Sequence, residues 1–210
     1  MLIIRRRRPI GEPATSAGPD VRALATGVVT YDGVAGAGRI AQALAELGVT
    51  MDPCHQLVVD TDGPMAALGD VDLGTTFDAV VLGSHLVNLP DADSRAAVIA
   101  LARRHVSPGG TVYVEHHPLD WAETAAEVRA TPGGSSLGMV DVRRDPPFVS
   151  AVSVYDVGGR VVRQPFTARV LTETELAATL AGAGFAEGRR LSPTWLAAPA
   201  IRPRATRSSR

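Results

Sequence analysis

The sequence predicts an α/β protein built on a doubly wound, mostly parallel sheet. Short apolar runs alternate with helical patterns from about residue 21 onward. Strand-like FDAVVL is followed by a helical pattern and then by strand-like TVYVEHH, an order typical of parallel sheets. Two later β-rich runs around Gly158-Gly159 predict an antiparallel hairpin inserted toward the C-terminus, since both glycines can take positive φ.

The first strand and helix are predicted between residues 27 and 48. GVVTY favours a strand because valine and threonine pack well on a pleated surface. GRIAQALAELG favours a helix, with Ile40, Leu44 and Leu47 at spacings of four and three. HQLVVD is the next short strand candidate.

The middle of the chain gives the clearest pattern. The apolar run 79–82 within FDAVVLGSH is expected of a strand that is buried on both faces. DADSRAAVIALARRHV follows as a helix, with Asp91 or Asp93 placed to cap its first turn. Pro108-Gly109-Gly110 then breaks the helix before TVYVEHH.

The last third mixes strands with one more helix. Residues 130–144 contain Pro-Gly-Gly-Ser-Ser and are predicted to form a mobile loop. LTETELAATLAGAGF begins with a capping box, Thr172 and Glu175, and continues as a helix. RRLSPTWLAA predicts a final pair of strands.

Length and composition predict one folded domain. The chain has 210 residues, of which 45% are hydrophobic and 20% charged, enough for an ordinary core. We expect the domain to cover 21–200, after a disordered arm over 1–20 that carries the arginine cluster 5–8. The last residues, 201–210, are expected to form a disordered tail.

Charge and cysteine content narrow the function classes. The net charge of −1 argues against nucleic acid as a partner. Arginine supplies all 21 basic residues, which indicates a GC-rich, bacterial source. A single cysteine, Cys54, favours a reducing cytoplasm, and no apolar run is long enough to span a membrane.

Three segments in this order carry a family resemblance: FDAVVLGSHLVNLPD, LARRHVSPGGTVYVEHHPLDW and LTETELAATLAGAGF. With the preceding strand and glycine-containing turn, the chain resembles class I S-adenosylmethionine-dependent methyltransferases from residue 28 to 198. The resemblance implies a Rossmann-like fold and S-adenosylmethionine as the cofactor.

The stretch YDGVAGAGRIAQALAELG is similar to that family's cofactor loop, an acid followed by three alternating glycines. Gly36 and Gly38 match the last two glycines and Asp32 matches the acid. Val34 falls on the first glycine, with Gly33 next to it as a substitute. A branched residue resists the backbone conformations that let a loop approach a ligand closely, so Val34 is the main departure from the pattern.

The resemblance also implies further cofactor residues. An acid at the end of the second strand holds the ribose, and either Asp52 or Asp60 fits; Asp60 matches the family pattern better. Asp70 or Asp72 would contact the adenine amine. Ser84, at the end of FDAVVLGSH, is the remaining cofactor-binding candidate.

Three histidines are candidate general bases. His85 follows one strand of the sheet, and His116 and His117 follow the next. These positions adjoin the crevice where ligands bind in such sheets, and histidine titrates near neutral pH. Adjacent residues of a strand point to opposite faces, so no metal site is expected at His116 and His117.

The sequence therefore predicts methyl transfer from S-adenosylmethionine to a small molecule, releasing S-adenosylhomocysteine. The alternative is a methyltransferase-like protein whose degenerate loop serves ligand binding or a non-methylating reaction such as a cyclisation. The inserted hairpin would act as a flap or as a contact in a homodimer. A third function class is a nicotinamide-dependent oxidoreductase. The acid before the glycines and the late hairpin fit that class poorly.

Overall fold

The computed structural model describes residues 2–5, 42–49, 55–57, 72, 74–128, 136–157 and 160–202. The elements of these residues, in chain order, are β1 (Leu2–Arg5), β2 (His55–Leu57), β3 (Phe77–Leu82), a 3-10 turn (Leu86–Asn88), α1 (Ala92–His105), β4 (Val106–Glu115), α2 (Trp121–Thr124), β5 (Ser136–Asp145), β6 (Phe148–Val157), β7 (Arg160–Arg169), α3 (Glu173–Gly182), β8 (Arg189–Ser192) and β9 (Trp195–Pro199).

A six-stranded sheet has the order β2-β1-β3-β4-β9-β8. The unit β3–α1–β4 confirms the predicted crossover between parallel strands. The other neighbouring pairs run antiparallel: β1–β2, β1–β3, β4–β9 and β8–β9. Over the described residues the sheet is therefore mixed rather than mostly parallel, because β1 runs against its neighbours and β8–β9 is a hairpin.

The N-terminal residues differ from expectation. Leu2–Arg5 pair with both β2 and β3 instead of starting a disordered arm, so the arm over 1–20 does not hold at these four positions. The predicted strand GVVTY lies outside the described residues. The domain boundaries otherwise stay a prediction.

Burial explains the strand β3. Five of its six side chains are buried, which confirms a strand covered on both faces. One face contributes Val80 and Leu82 to the main core, where α1 and α3 also pack. The other face contributes Val81, which clusters with Trp195 and with Leu44 from a helical stretch at 42–46. Helices thus lie on both sides of β3.

Both long helices begin at the predicted caps. The Asp91 carboxylate accepts from the Ser94 N–H at 2.7 Å and caps α1. Thr172 and Glu175 form a reciprocal capping box at the start of α3. The strand β4 begins at Val106, directly after α1 and earlier than the Pro-Gly-Gly break suggested.

A separate sheet has the order β5-β6-β7. Its strands β6 and β7 pair in register up to Val157 and Arg160, which confirms the predicted hairpin. The mobile loop expected over 130–144 was wrong from residue 136 onward, because Ser136–Asp145 pair with β6 as a third strand. No helix of the described residues is long and apolar enough to cross a membrane.

Candidate functional site

The candidate site lies where the parallel strands β3 and β4 end side by side. Leu82 is aligned with Val114 across the pair, so the segments that follow the two strands leave the sheet at the same edge. Ser84 and His85 follow β3, while Glu115 ends β4 and His116 comes next.

The turn after β3 has an uncommon backbone. Ser84 and His85 have φ values of 53° and 54°, in the left-handed region. This conformation costs about 1–2 kcal/mol for a residue with a side chain. The Ser84 N–H donates to Oε2 of Glu115 at 2.7 Å, and hydrogen bonds to a charged group are worth about 1.5–3 kcal/mol. The buried carboxylate therefore stabilises the strained turn.

The other carboxylate oxygen of Glu115 faces His85. Oε1 lies 4.0 Å from Nε2 of His85, with side chains that are 4% and 31% exposed respectively. The two side chains are close enough to form an ion pair when the imidazole is protonated. Sequence reasoning missed Glu115; the signal was an acidic residue directly after the apolar run TVYV.

Three aromatic rings form what we call the ring stack: His85, His117 and Trp121. The centroids of His85 and His117 lie 3.9 Å apart with an interplanar angle of 16°. Those of His117 and Trp121 lie 3.7 Å apart at 5°. The stack joins the turn after β3 to the segment after β4 and to α2.

His117 is uncharged at neutral pH. Burial, together with the smaller effects of the neighbouring His85 and His116, lowers its pKa to about 2. A ring with so low a pKa is a weak proton acceptor, so of the three predicted bases His117 is the least suited to that role.

His116 is buried, with 3% of its surface exposed. Desolvation by burial lowers the pKa of its imidazole as well. Its Nδ1 lies 2.8 Å from the carbonyl oxygen of His117, which fixes the proton on Nδ1. Its Nε2 has no hydrogen-bond partner within the described part of the chain.

Asn88 connects the segments of the site. Its Oδ1 accepts from the His117 N–H at 2.9 Å, and its Nδ2 donates to the carbonyl oxygen of Arg169 at 2.8 Å. Arg169 ends β7, so this one side chain links the three-stranded sheet to the edge where β3 and β4 end.

The helix α2 makes a second link to the three-stranded sheet. Ala122 and Ala125 pack in one buried cluster with Val149 of β6 and Val170, and Trp121 lies against that cluster. The sheet β5-β6-β7 is thus attached to the ring stack by an apolar contact as well as by Asn88.

The structure brings four of the predicted site residues together: Ser84, His85, His116 and His117. Their functional roles stay predictions. The other predicted cofactor residues lie outside the described residues: Asp32, Gly33, Gly36, Gly38, Asp60 and Asp70.

The fold of this chain matches that of a solved structure. An S-adenosylmethionine-dependent methyltransferase from Clostridium acetobutylicum ATCC 824 matches with a TM-score of 0.50 and 10% identity, over 80% of this chain and 71% of that chain. The chain has an S-adenosylmethionine-dependent methyltransferase fold. The resemblance drawn from the sequence is confirmed at the level of this fold.

Other solved methyltransferases are similar at lower TM-scores. An amino pentose methyltransferase from Micromonospora echinaspora, involved in calicheamicin biosynthesis and solved with S-adenosylmethionine, is 24% identical over 65% of this chain and 62% of that chain, with a TM-score of 0.44. A sugar N-methyltransferase from Streptoalloteichus sp ATCC 53650 is 20% identical over 76% of this chain and 67% of that chain, with a TM-score of 0.46.

The match thus spans between 62% and 71% of the length of these methyltransferases. No protein-family model matches the chain, and no curated protein matches it.

Proposed function

We propose that the protein transfers the methyl group of S-adenosylmethionine to a small-molecule acceptor and releases S-adenosylhomocysteine. The methyltransferase fold supports the reaction class. The observation that carries the proposal is the pair His85 and Glu115 at the edge where β3 and β4 end. A partly exposed histidine beside a buried carboxylate is suited to removing a proton from an acceptor.

Two histidines of the described site, His116 and His117, leave room for a sulfonium donor because they are uncharged. The pKa values of His116 and His117 are both lowered, so neither ring carries a positive charge near neutral pH. Glu115 supplies a buried carboxylate at the same edge. Because neither ring is charged, these two histidines do not repel a cationic ligand such as S-adenosylmethionine.

The cofactor supplies an activated methyl group, and the chain has to align the acceptor and accept a proton. In our proposal Ser84 contacts the cofactor together with Asp32, Gly33, Gly36, Gly38, Asp60 and Asp70, which rest on the resemblance.

His85 takes up the proton that an acceptor hydroxyl or ammonium group gives up. Glu115 stabilises the imidazolium that results. The Ser84 N–H holds the carboxylate in place.

Acceptor choice is assigned to the three-stranded sheet and to Trp121. The ring of Trp121 is half-buried and lies at the outer end of the ring stack, where α2 meets the sheet. In our proposal the acceptor lies against this ring, and the neighbouring sheet determines which acceptors fit. We also propose that the enzyme is cytoplasmic and bacterial, and that it needs neither nucleic acid nor a metal. The sheet β5-β6-β7 would serve as a flap or as a contact in a homodimer.

The alternative is a methyltransferase-like protein that binds a ligand without transferring a methyl group. Val34, in place of a loop glycine, favours it, because a branched residue restricts the backbone at that point. Such a protein would bind S-adenosylmethionine weakly or leave it unchanged.

Transfer of an isotope-labelled methyl group tests the proposal. Wild type is incubated with labelled S-adenosylmethionine and a panel of small amines and alcohols. We expect labelled product with wild type, and a loss on the order of 100-fold in H85Q, because a positioned base contributes about 10²–10⁴-fold. H117F keeps a stacked ring without a titrating group and should lose far less.

The outcomes separate the two functions. An equal loss in H85Q and H117F would show that His85 is not the proton acceptor. Wild type that binds S-adenosylmethionine but labels no acceptor would favour the alternative.

A further inference from the structure

We infer that Asn88 is a positioning residue, which fixes the backbone of His117 and, through the ring stack, the orientation of His85 beside Glu115. The catalytic consequence of this role rests on the proposed function. The geometry itself does not depend on any bound ligand.

The side chain of Asn88 is almost wholly enclosed, at 1% exposure, and both ends of its amide are used. Oδ1 accepts from the His117 N–H, and Nδ2 donates to the carbonyl oxygen of Arg169. Rotating the amide by half a turn would set two donors against each other and two acceptors against each other. The partners therefore specify one orientation of the amide.

The contact to His117 occurs just beyond the end of β4, where the strand ladder no longer holds the backbone. The His116 N–H donates to the carbonyl oxygen of Thr194 at 2.9 Å, and the next N–H is held by Asn88. The hydrogen bond of His116 is made to a backbone oxygen, whereas that of His117 is made to the side chain of Asn88. The hydrogen bond of His117 is therefore the contact that a substitution can remove.

The ring of His117 lies between two other rings, at 3.9 Å from His85 and 3.7 Å from Trp121. At these distances the rings are in van der Waals contact on both faces. A shift of the His117 backbone therefore has to move the ring of His85 or leave a gap beside it. Because Nε2 of His85 is 4.0 Å from Glu115, the same shift changes that separation.

Two substitutions separate the contact to His117 from the contact to Arg169. N88L has a similar volume and removes both hydrogen bonds. N88D also loses the donor to Arg169, but its carboxylate still accepts from the His117 N–H. Both variants should be less stable than wild type, whereas only N88L should release His117.

Proton–proton NOEs between the rings of His85 and His117 report the stack directly, without cofactor or acceptor. We expect these NOEs in wild type and N88D, and their loss in N88L. NOEs of wild-type intensity in N88L, or equal loss in both variants, would overturn the positioning role and leave Asn88 a purely structural residue.

A kinetic readout follows once an acceptor is known. N88L should lower kcat by roughly tenfold or more with a smaller change in KM, because misplacing a catalytic group slows the reaction more than it weakens binding. N88D should stay closer to wild type. The two hypotheses can fail separately. If the NOEs between the two rings disappear in N88L but not in N88D, the positioning role is supported, whether or not any variant transfers a methyl group. If neither wild type nor any variant transfers a methyl group, only the proposed function is contradicted.

Hydrogen exchange of wild type decides the matter if N88L does not fold. The His117 N–H should be protected to a degree similar to that of Val114 within β4. Exchange of the His117 N–H at the rate of an unfolded peptide would contradict the inference.

Discussion

Replacing His117 by phenylalanine should make the folded protein less sensitive to acid between pH 7 and pH 5. The pKa of His117 is about 2 in the folded chain, against an ordinary value of 6.5. A lowered pKa means that the unfolded chain binds the proton more readily. Below pH 6.5 the unfolded chain therefore binds a proton that the folded chain does not bind. The free energy of unfolding is highest above pH 6.5 and decreases as the pH falls.

The magnitude follows from linkage. A histidine that stays neutral when folded and has a pKa of 6.5 when unfolded loses RT ln(1 + 10^(6.5 − pH)) of stability. This amounts to about 0.2 kcal/mol at pH 7 and about 2 kcal/mol at pH 5. The side chain is half-buried, so about 2 kcal/mol is the upper limit of the difference.

Urea unfolding of wild type and H117F at pH 7, 6 and 5 measures the effect. The phenylalanine ring keeps the contacts with His85 and Trp121 but cannot bind a proton. His116, whose pKa is also lowered, is present in both proteins, so the difference between them isolates His117. Identical pH dependence in the two proteins would refute the reasoning that the stacked ring is held neutral.

Three further substitutions test the local structure, each with a matched control and each measured by chemical denaturation at pH 7. E115L removes the acceptor of the Ser84 N–H and should cost about 1–3 kcal/mol, whereas E115Q retains an acceptor and should cost less; equal losses would contradict the support of the left-handed turn. T172A removes the capping box of α3 and should cost about 1 kcal/mol, while T174A on the exposed first turn should be within about 0.5 kcal/mol of wild type. G110A places a Cβ 2.9 Å from the carbonyl oxygen of Asp78 and should cost about 1–3 kcal/mol; G182A meets no atom within 4 Å, and a similar loss there would count against the steric explanation.

Elements defined by local chemistry could be predicted from the sequence. Asp91 and Thr172 cap their helices as expected, because capping depends on residues only three positions apart. The hairpin of β6 and β7 could also be predicted, because its turn and both strands are contiguous in the chain.

The remaining elements depend on contacts between distant residues. The strand β5 follows a Pro-Gly-Gly-Ser-Ser segment and becomes a strand through its pairing with β6. Leu2–Arg5 become a strand only by inserting between β2 and β3. The Leu-Ile-Ile run favours a strand, but no local pattern shows which strands either segment pairs with.

The candidate site shows the same division. The positions of His85, His116 and His117 after two neighbouring strands were predicted from the parallel crossover. Their different environments were not, because the stack of His117 on Trp121 and the burial of Glu115 depend on how separate loops fold back on the sheet. Asn88 joins residues that are 29 and 81 positions away, a spacing that no sequence pattern reveals.

Calorimetric titration with S-adenosylmethionine and S-adenosylhomocysteine tests the proposed function most directly. We expect binding of both, and loss of binding in G36V and G38V, with G182A as the control. That result would mean that the loop from Tyr31 to Gly48 binds the cofactor despite Val34. Absence of heat from either ligand at millimolar concentration would contradict the proposed function and leave a methyltransferase fold that serves another purpose.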